Sequence, residues 1–160
     1  MTGTDVKYGT QDIIVEEVLP HAPETIWKTL TTSDLIGRWL HMVPTGFAAV
    51  KGTRFTMPTK AAGAWDGLIH CEVLDVQPNE RLVYSWKSGH AENVGYGAML
   101  DTIVTWTLRK VEDGTRLRLV HSGFSLPKNE TAYRGMSEGW VEVVGRVDSI
   151  TAERDTTHKH

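Results

Sequence analysis

Strict alternation of apolar and polar positions runs through the middle of the chain, and a spacing of three to four residues takes over near its end. In "GTRLRLVHSGF", Gly114 to Phe124, Leu117, Leu119 and His121 fall on one side of a strand and Arg116, Arg118 and Val120 on the other. A histidine thus stands where another apolar residue was due. The same alternation predicts strands in "TRFTMPT", in "WDGLIHCEVLDV" with Trp65, Gly67, Ile69, Cys71 and Val73 together, in "RLVYSW" with Leu82, Tyr84 and Trp86, and in "DTIVTWTL" with Val104, Trp106 and Leu108. "QPNE" and the Asp-Gly of "EDGT" predict turns, and the glycine-rich "KSGHAENVGYGAM" predicts a mobile loop.

Upstream, "QDIIVEEVL" reads as a strand whose two apolar sets, Ile13, Val15 and Leu19 or Ile14 and Val18, leave the buried face open. "HAPETIWKTL" predicts a helix: Pro23 suits its first turn, Glu24 complements its dipole, and Ile26, Trp27 and Leu30 share a face. "TSDLIGRWL" predicts a second short helix, capped by Thr32 or Ser33, with Leu35, Trp39 and Leu40 inward. Beyond "SLPKNE", Tyr133, Met136, Trp140, Val143, Val144, Val147 and Ile150 form the stripe of a long amphipathic helix. Gly135, Gly139 and Gly145 each weaken that helix by roughly 1 kcal/mol relative to alanine, which predicts close approach of another backbone. Residues 1–10 read as a flexible arm and 153–160 as a flexible tail, leaving a single domain over 11–152. Helices segregated from a run of antiparallel strands make this an α+β domain.

Length supports one core, since 160 residues leave no room for a second. A formal net charge of -3 and the lack of a lysine or arginine run argue against nucleic acid as a partner. No stretch approaches the roughly 18 to 20 apolar residues that span a bilayer, so membrane insertion is not expected. The single cysteine, Cys71, has no intrachain partner and fits a reducing, cytoplasmic setting. Six tryptophans predict either a large core or an aromatic-lined cavity.

Catalytic signatures are scarce. Zinc needs converging ligands such as His-Glu-x-x-His or paired Cys-x-x-Cys, and neither occurs; His70 and Cys71 are strand neighbours that point to opposite faces. No phosphate loop, dinucleotide fingerprint or Gly-x-Ser-x-Gly elbow is present, so no metal or cofactor is expected. Strand alternation also separates Ser122 from His121, and a mid-strand Cys71 fits an inert buried thiol. Three readings of His121 stand: a satisfied polar group near a strand end, an anchor orienting a ligand in an apolar cavity, or a general acid or base. Trp39, Trp86, Trp106 and Trp140 are candidates for pocket lining or for plain packing. Met57, Met99 and Met136 supply adaptable walls, and Leu119 shares the face of His121. The 87–99 loop is a hairpin connection or a lid.

"HAPETIW", "RWL", "RLVYSW", "TIVTWTL", "GTRLRLVHSGF" and "GMSEGW" stand in the order and spacing of the SRPBCC (START-like) superfamily. Over about Ile13 to Ile150 the chain specifically resembles the family named for the C-terminal domain of the activator of the large heat-shock chaperone's ATPase. The resemblance implies a helix-grip fold, with a curved antiparallel sheet wrapped around a long C-terminal helix and two short helices after the first strand. It also implies a stress-response setting and a possible chaperone partner. The eukaryotic activator contacts its chaperone through an additional N-terminal domain, so direct stimulation is not expected here. Together these readings favour a cytoplasmic monomer or homodimer that binds a small hydrophobic or aromatic molecule between sheet and helix. On this reading the site comprises Trp39, Met57, Trp86, Met99, Trp106, Leu119, His121, Met136 and Trp140, without evident catalysis. A chaperone-accessory interaction module and a cavity-based cyclase or hydrolase are the rivals.

Overall fold

A computed structural model describes residues 9–158 of the chain. Most of the expected N-terminal arm lies outside the described residues, and β1 (Gly9–Leu19) begins before its predicted end. Then come α1 (Pro23–Thr31), α2 (Ser33–Leu40), β2 (Arg54–Pro58), β3 (Leu68–Gln77), β4 (Arg81–Ser88), β5 (Leu100–Val111), β6 (Gly114–Leu126) and α3 (Glu130–His158). The strands form one antiparallel sheet in the order β1-β6-β5-β4-β3-β2, curved around α3 in the helix-grip arrangement. Consecutive hairpins build β2 to β6, and β1 closes the sheet beside β6 because α1 and α2 carry the chain across.

Pairing resolves the ambiguity in β1. Ile13 lies opposite His121 and is buried at 4% exposure, whereas Ile14 and Val18 face outward at 54% and 45%. Trp65 is buried on the same side as Ile69, Cys71 and Val73, but it sits before β3, in a tight turn that bridges back to Ala62. At the β5–β6 hairpin the chain turns so tightly past β1 that a Cβ on Gly114 would overlap the Leu19 carbonyl oxygen. Gly114 has a φ of +143°, which L side chains rarely adopt.

Helix α3 buries Trp140, Val143, Val144, Val147 and Ile150 against Val104, Trp106, Leu117 and Leu119 of the inner sheet face. Polar contacts attach the short helices to α3. Thr29 Oγ1 lies 2.8 Å from Thr151 Oγ1, Arg146 Nε donates to the Trp39 carbonyl at 2.9 Å, and Arg38 grips Glu153 through two bonds. In α2 the inward residues are Ile36 and Trp39; Leu35, expected inward, is only half-buried. Residues 153–158, expected as tail, continue α3.

The glycine-rich connection between β4 and β5 is clasped. Asn93 Nδ2 donates to the carbonyls of Ala62 and Gly97, and its Oδ1 accepts from the Ala64 amide. One half-buried side-chain amide therefore ties this loop to the loop before β3, where the sequence pattern suggested free movement.

Candidate functional site

The inner face of the sheet meets α3 through a continuous aromatic cluster. Trp39 packs edge-on against Trp106 at 5.4 Å between ring centroids, Trp106 against Trp140 at 5.9 Å, and Trp140 against Trp86 at 5.9 Å. His121 sits beside them, 5.2 Å from Trp86, 5.7 Å from Trp140 and 4.6 Å from Phe124. The tryptophan–tryptophan and His121–Trp140 contacts place ring edges against ring faces, the favourable arrangement for aromatic quadrupoles, and His121 meets Trp86 and Phe124 at a tilt.

The polar atoms around His121 form a relay. The Trp140 indole N–H donates to His121 Nδ1 at 3.0 Å. Because an indole can only donate, Nδ1 is the unprotonated nitrogen and the proton of the neutral ring lies on Nε2. His121 Nε2–H then donates to Thr102 Oγ1 at 2.8 Å, and the Thr102 hydroxyl donates to the Trp86 carbonyl at 2.8 Å. The relay is satisfied throughout and His121 is fully buried. Burial lowers its pKa from the ordinary value to about 3, so the ring is neutral at physiological pH. Of the three readings of His121, this geometry matches the satisfied polar group. A general acid or base needs a titration near neutrality, and both ring nitrogens already have internal partners.

The other indoles differ. Trp39 Nε1 donates to the Thr29 carbonyl at 2.8 Å and Trp106 Nε1 to the Tyr84 hydroxyl at 3.1 Å. Trp86 Nε1 is buried without an acceptor among the described residues. Burial of that kind costs about 1 to 3 kcal/mol unless something supplies a partner.

Beside Trp86 and Trp140 lies an apolar hollow of about 180 Å³. Leu40 and Met42, from the end of α2 and the turn after it, form one wall; Gly135, Met136, Gly139, Trp140 and Val143 of α3 form the other, with Trp86 of β4 behind. No ionisable side chain lines it. The glycines explain why it exists. A Cβ built on Gly135 or Gly139 meets nothing within 4 Å, so these positions border open space and not the close backbone approach that their cost to the helix suggested. Gly145 is likewise open.

The structure therefore brings together three of the residues singled out from the sequence, Trp86, Met136 and Trp140, at this hollow. Trp39, Trp106, Leu119, His121 and Met57 are packed in the core. Met99 is 40% exposed and borders a different, open depression with His70 and Lys87. Leu40, Met42, Gly135, Gly139 and Val143 were not predicted as lining, although the i, i+1, i+4, i+5, i+8 spacing of 135, 136, 139, 140 and 143 marks one helix face. Thr102 was also missed; it shares the inward face with Val104 but reaches His121 only through the β5–β6 register. Cys71 is buried and its thiol is pushed up to about 12 by desolvation, while Ser122 bonds the Ile103 carbonyl and not His121. Among the described residues no group of three or more His, Cys, Asp or Glu side chains could hold a metal ion, and no helix is long and apolar enough to cross a membrane.

Solved structures similar to this chain include protein MLL2253 from Mesorhizobium loti, at 34% identity and a TM-score of 0.76, covering 90% of this chain and 98% of that one. Protein BH1534 from Bacillus halodurans is similar at 22% identity and a TM-score of 0.69, over 90% and 99% of the two chains. CalU16 from Micromonospora echinospora is similar at 21% identity and a TM-score of 0.66, over 88% and 74%. The latter two likenesses concern the fold alone. No curated protein matches the chain. The pattern described as "Activator of Hsp90 ATPase homolog 1-like protein" matches residues 20–152, and on that span the chain belongs to the Activator of Hsp90 ATPase homolog 1-like family.

Proposed function

We propose that the protein binds a small apolar or aromatic molecule in the hollow between α2 and α3, against Trp86 and Trp140. The observation that carries this reading is a wall without ionisable groups, left open where exposed Gly135 and half-buried Gly139 of α3 carry no side chain beside Met136, Trp140 and Val143. Its volume of about 180 Å³ exceeds the roughly 150 Å³ of an engineered apolar cavity that takes up benzene. Burial of the guest's surface, at about 25 cal/mol per Å², drives binding. The lining holds no nucleophile, acid or base, which favours binding over chemistry.

Tryptophan emission reports directly, because two indoles form the wall. Titration with a naphthalene-sized probe is expected to change wild-type emission saturably. In Gly139→Leu, whose side chain would fill the hollow, the change disappears while the fold survives, since leucine favours a helix over glycine. Saturable binding of equal strength in both proteins would place the guest elsewhere and defeat the proposal. The family description also favours a second reading, an accessory role at a chaperone. A chaperone ATPase assay with the purified protein tests it, and an unchanged rate counts against it.

A further inference from the structure

The outer face of the sheet, remote from the apolar hollow, carries a concentration of arginines. Arg109 on β5 and Arg116 on β6 are direct cross-strand partners. One row along, Arg118 lies opposite Thr107, which lies opposite Arg81 of β4. The alternation that turns Leu108, Leu117 and Leu119 into the core turns these side chains outward; Arg109, Arg116 and Arg118 are exposed and Arg81 is half-buried. All four line one open depression of about 400 Å³, together with Glu16 and Glu80.

Arg81 and Arg118, the two arginines of the second row, are tethered. Arg81 bonds Asp75 at 2.8 Å, and Arg118 Nη1 stands 3.8 Å from Glu16. Arg109 and Arg116, in the neighbouring row, have no carboxylate within ion-pair distance among the described residues. Like charges directly opposite each other on an antiparallel pair repel, so this pairing is unfavourable in the absence of a counter-charge. Four guanidinium groups, set against the two lining glutamates and the Asp75 that pairs with Arg81, leave the depression with a net positive charge, on a chain whose formal net charge is -3. A guanidinium presents a planar fork of donors that matches an oxyanion bidentately, which a lysine cannot do.

We propose that this depression binds a doubly charged oxyanion of the phosphate class, held by the forks of Arg109 and Arg116 with Arg118 as a flanking positive charge. The anion relieves the cross-strand repulsion. This site is independent of the apolar hollow, so either proposal can fail without the other.

Thermal unfolding of the full chain in inorganic phosphate, compared with chloride at matched ionic strength, tests it. A ligand that binds only the folded state raises the midpoint by mass action. Phosphate is expected to raise the wild-type midpoint by about 2 °C or more over chloride. Arg109→Gln with Arg116→Gln removes that increment while leaving the chloride midpoint level or higher, because the repulsion is gone. Lys128→Gln, away from the depression, keeps the increment. An undiminished increment in the double variant is what general exclusion of phosphate from protein surfaces would give, and it overturns the proposal. Amide chemical shifts supply a second readout: phosphate moves those of residues 107–109 and 116–118 in the wild type, and movement confined to other segments counts against the site. If the double variant fails to fold, Arg116→Gln alone carries both measurements.

Discussion

Lowering the pH should destabilise this protein through His121, by an amount the structure sets. The ring is fully buried, accepts from Trp140 at Nδ1 and donates to Thr102 at Nε2. Protonation would put a second donor at Nδ1, facing an indole N–H that can only donate, inside an apolar cluster. The folded state therefore holds the pKa down at about 3, against 6.5 for the free side chain. With the folded value depressed, the unfolded chain takes up the proton first, so stability is unaffected above pH 6.5 and falls as pH drops below it. The slope approaches about 1.4 kcal/mol per pH unit, giving a loss of about 2 kcal/mol by pH 5 and about 4 kcal/mol near pH 3. Other groups titrate in the same window, so the measurement is a difference. Denaturant unfolding of the wild type and His121→Asn is followed from pH 7 to pH 4.5. The asparagine carbonyl replaces Nδ1 as the acceptor for Trp140 but neither titrates nor reaches Thr102. The variant is expected to be less stable at pH 7 by about 2 kcal/mol or more, from the lost bond and lost ring volume, and to show a shallower pH slope. Equal slopes in the two proteins would refute the assignment of a buried neutral imidazole.

Other outcomes follow from single positions. Gly139→Ala adds a Cβ that meets nothing within 4 Å in a helix interior, so it should stabilise by about 1 kcal/mol and raise the melting midpoint by about 2 to 4 °C in a calorimetric scan. Gly114→Ala should do the reverse, by about 2 kcal/mol or more, because its Cβ meets the Leu19 carbonyl at a φ of +143°; urea unfolding checks it. Trp140→Phe strands His121 Nδ1 without a donor and should cost about 1 to 3 kcal/mol, with the loss seen in the same urea assay. Cys71, buried and with its thiol pushed up to about 12, should resist a disulfide reagent at pH 8 until the chain is unfolded, and rapid labelling of the native protein would contradict its burial.

Periodicity made much of the fold readable. The residues of β3 to β6 alternate so regularly that their buried sets could be named one by one, and the stripe on α3 did the same for the helix. Where two patterns competed, as with Ile13 and Ile14, the sequence could only state both, because either face of a strand is locally equivalent. The candidate site was less readable. A tryptophan on an inward face can pack in the core or border a hollow, and Trp106 does the first where Trp86 does the second. The α3 glycines illustrate the same limit. A glycine is compatible both with a neighbour that comes too close for a Cβ, as at Gly114, and with no neighbour at all, as at Gly135, Gly139 and Gly145.

By itself the sequence determined which residues turn inward and in what order strands and helices follow, since side-chain direction depends on local geometry with periods of two and of three to four. It also determined the family, through motifs in a matching order. Tertiary structure decided everything that depends on the distance between remote segments: the partners of His121, the clasp of Asn93 across two loops, the hollow beside Gly135 and Gly139, and the pairing of Arg109 with Arg116. Those depend on strand register and on how far α3 stands from α2. Both are set by packing across the whole core.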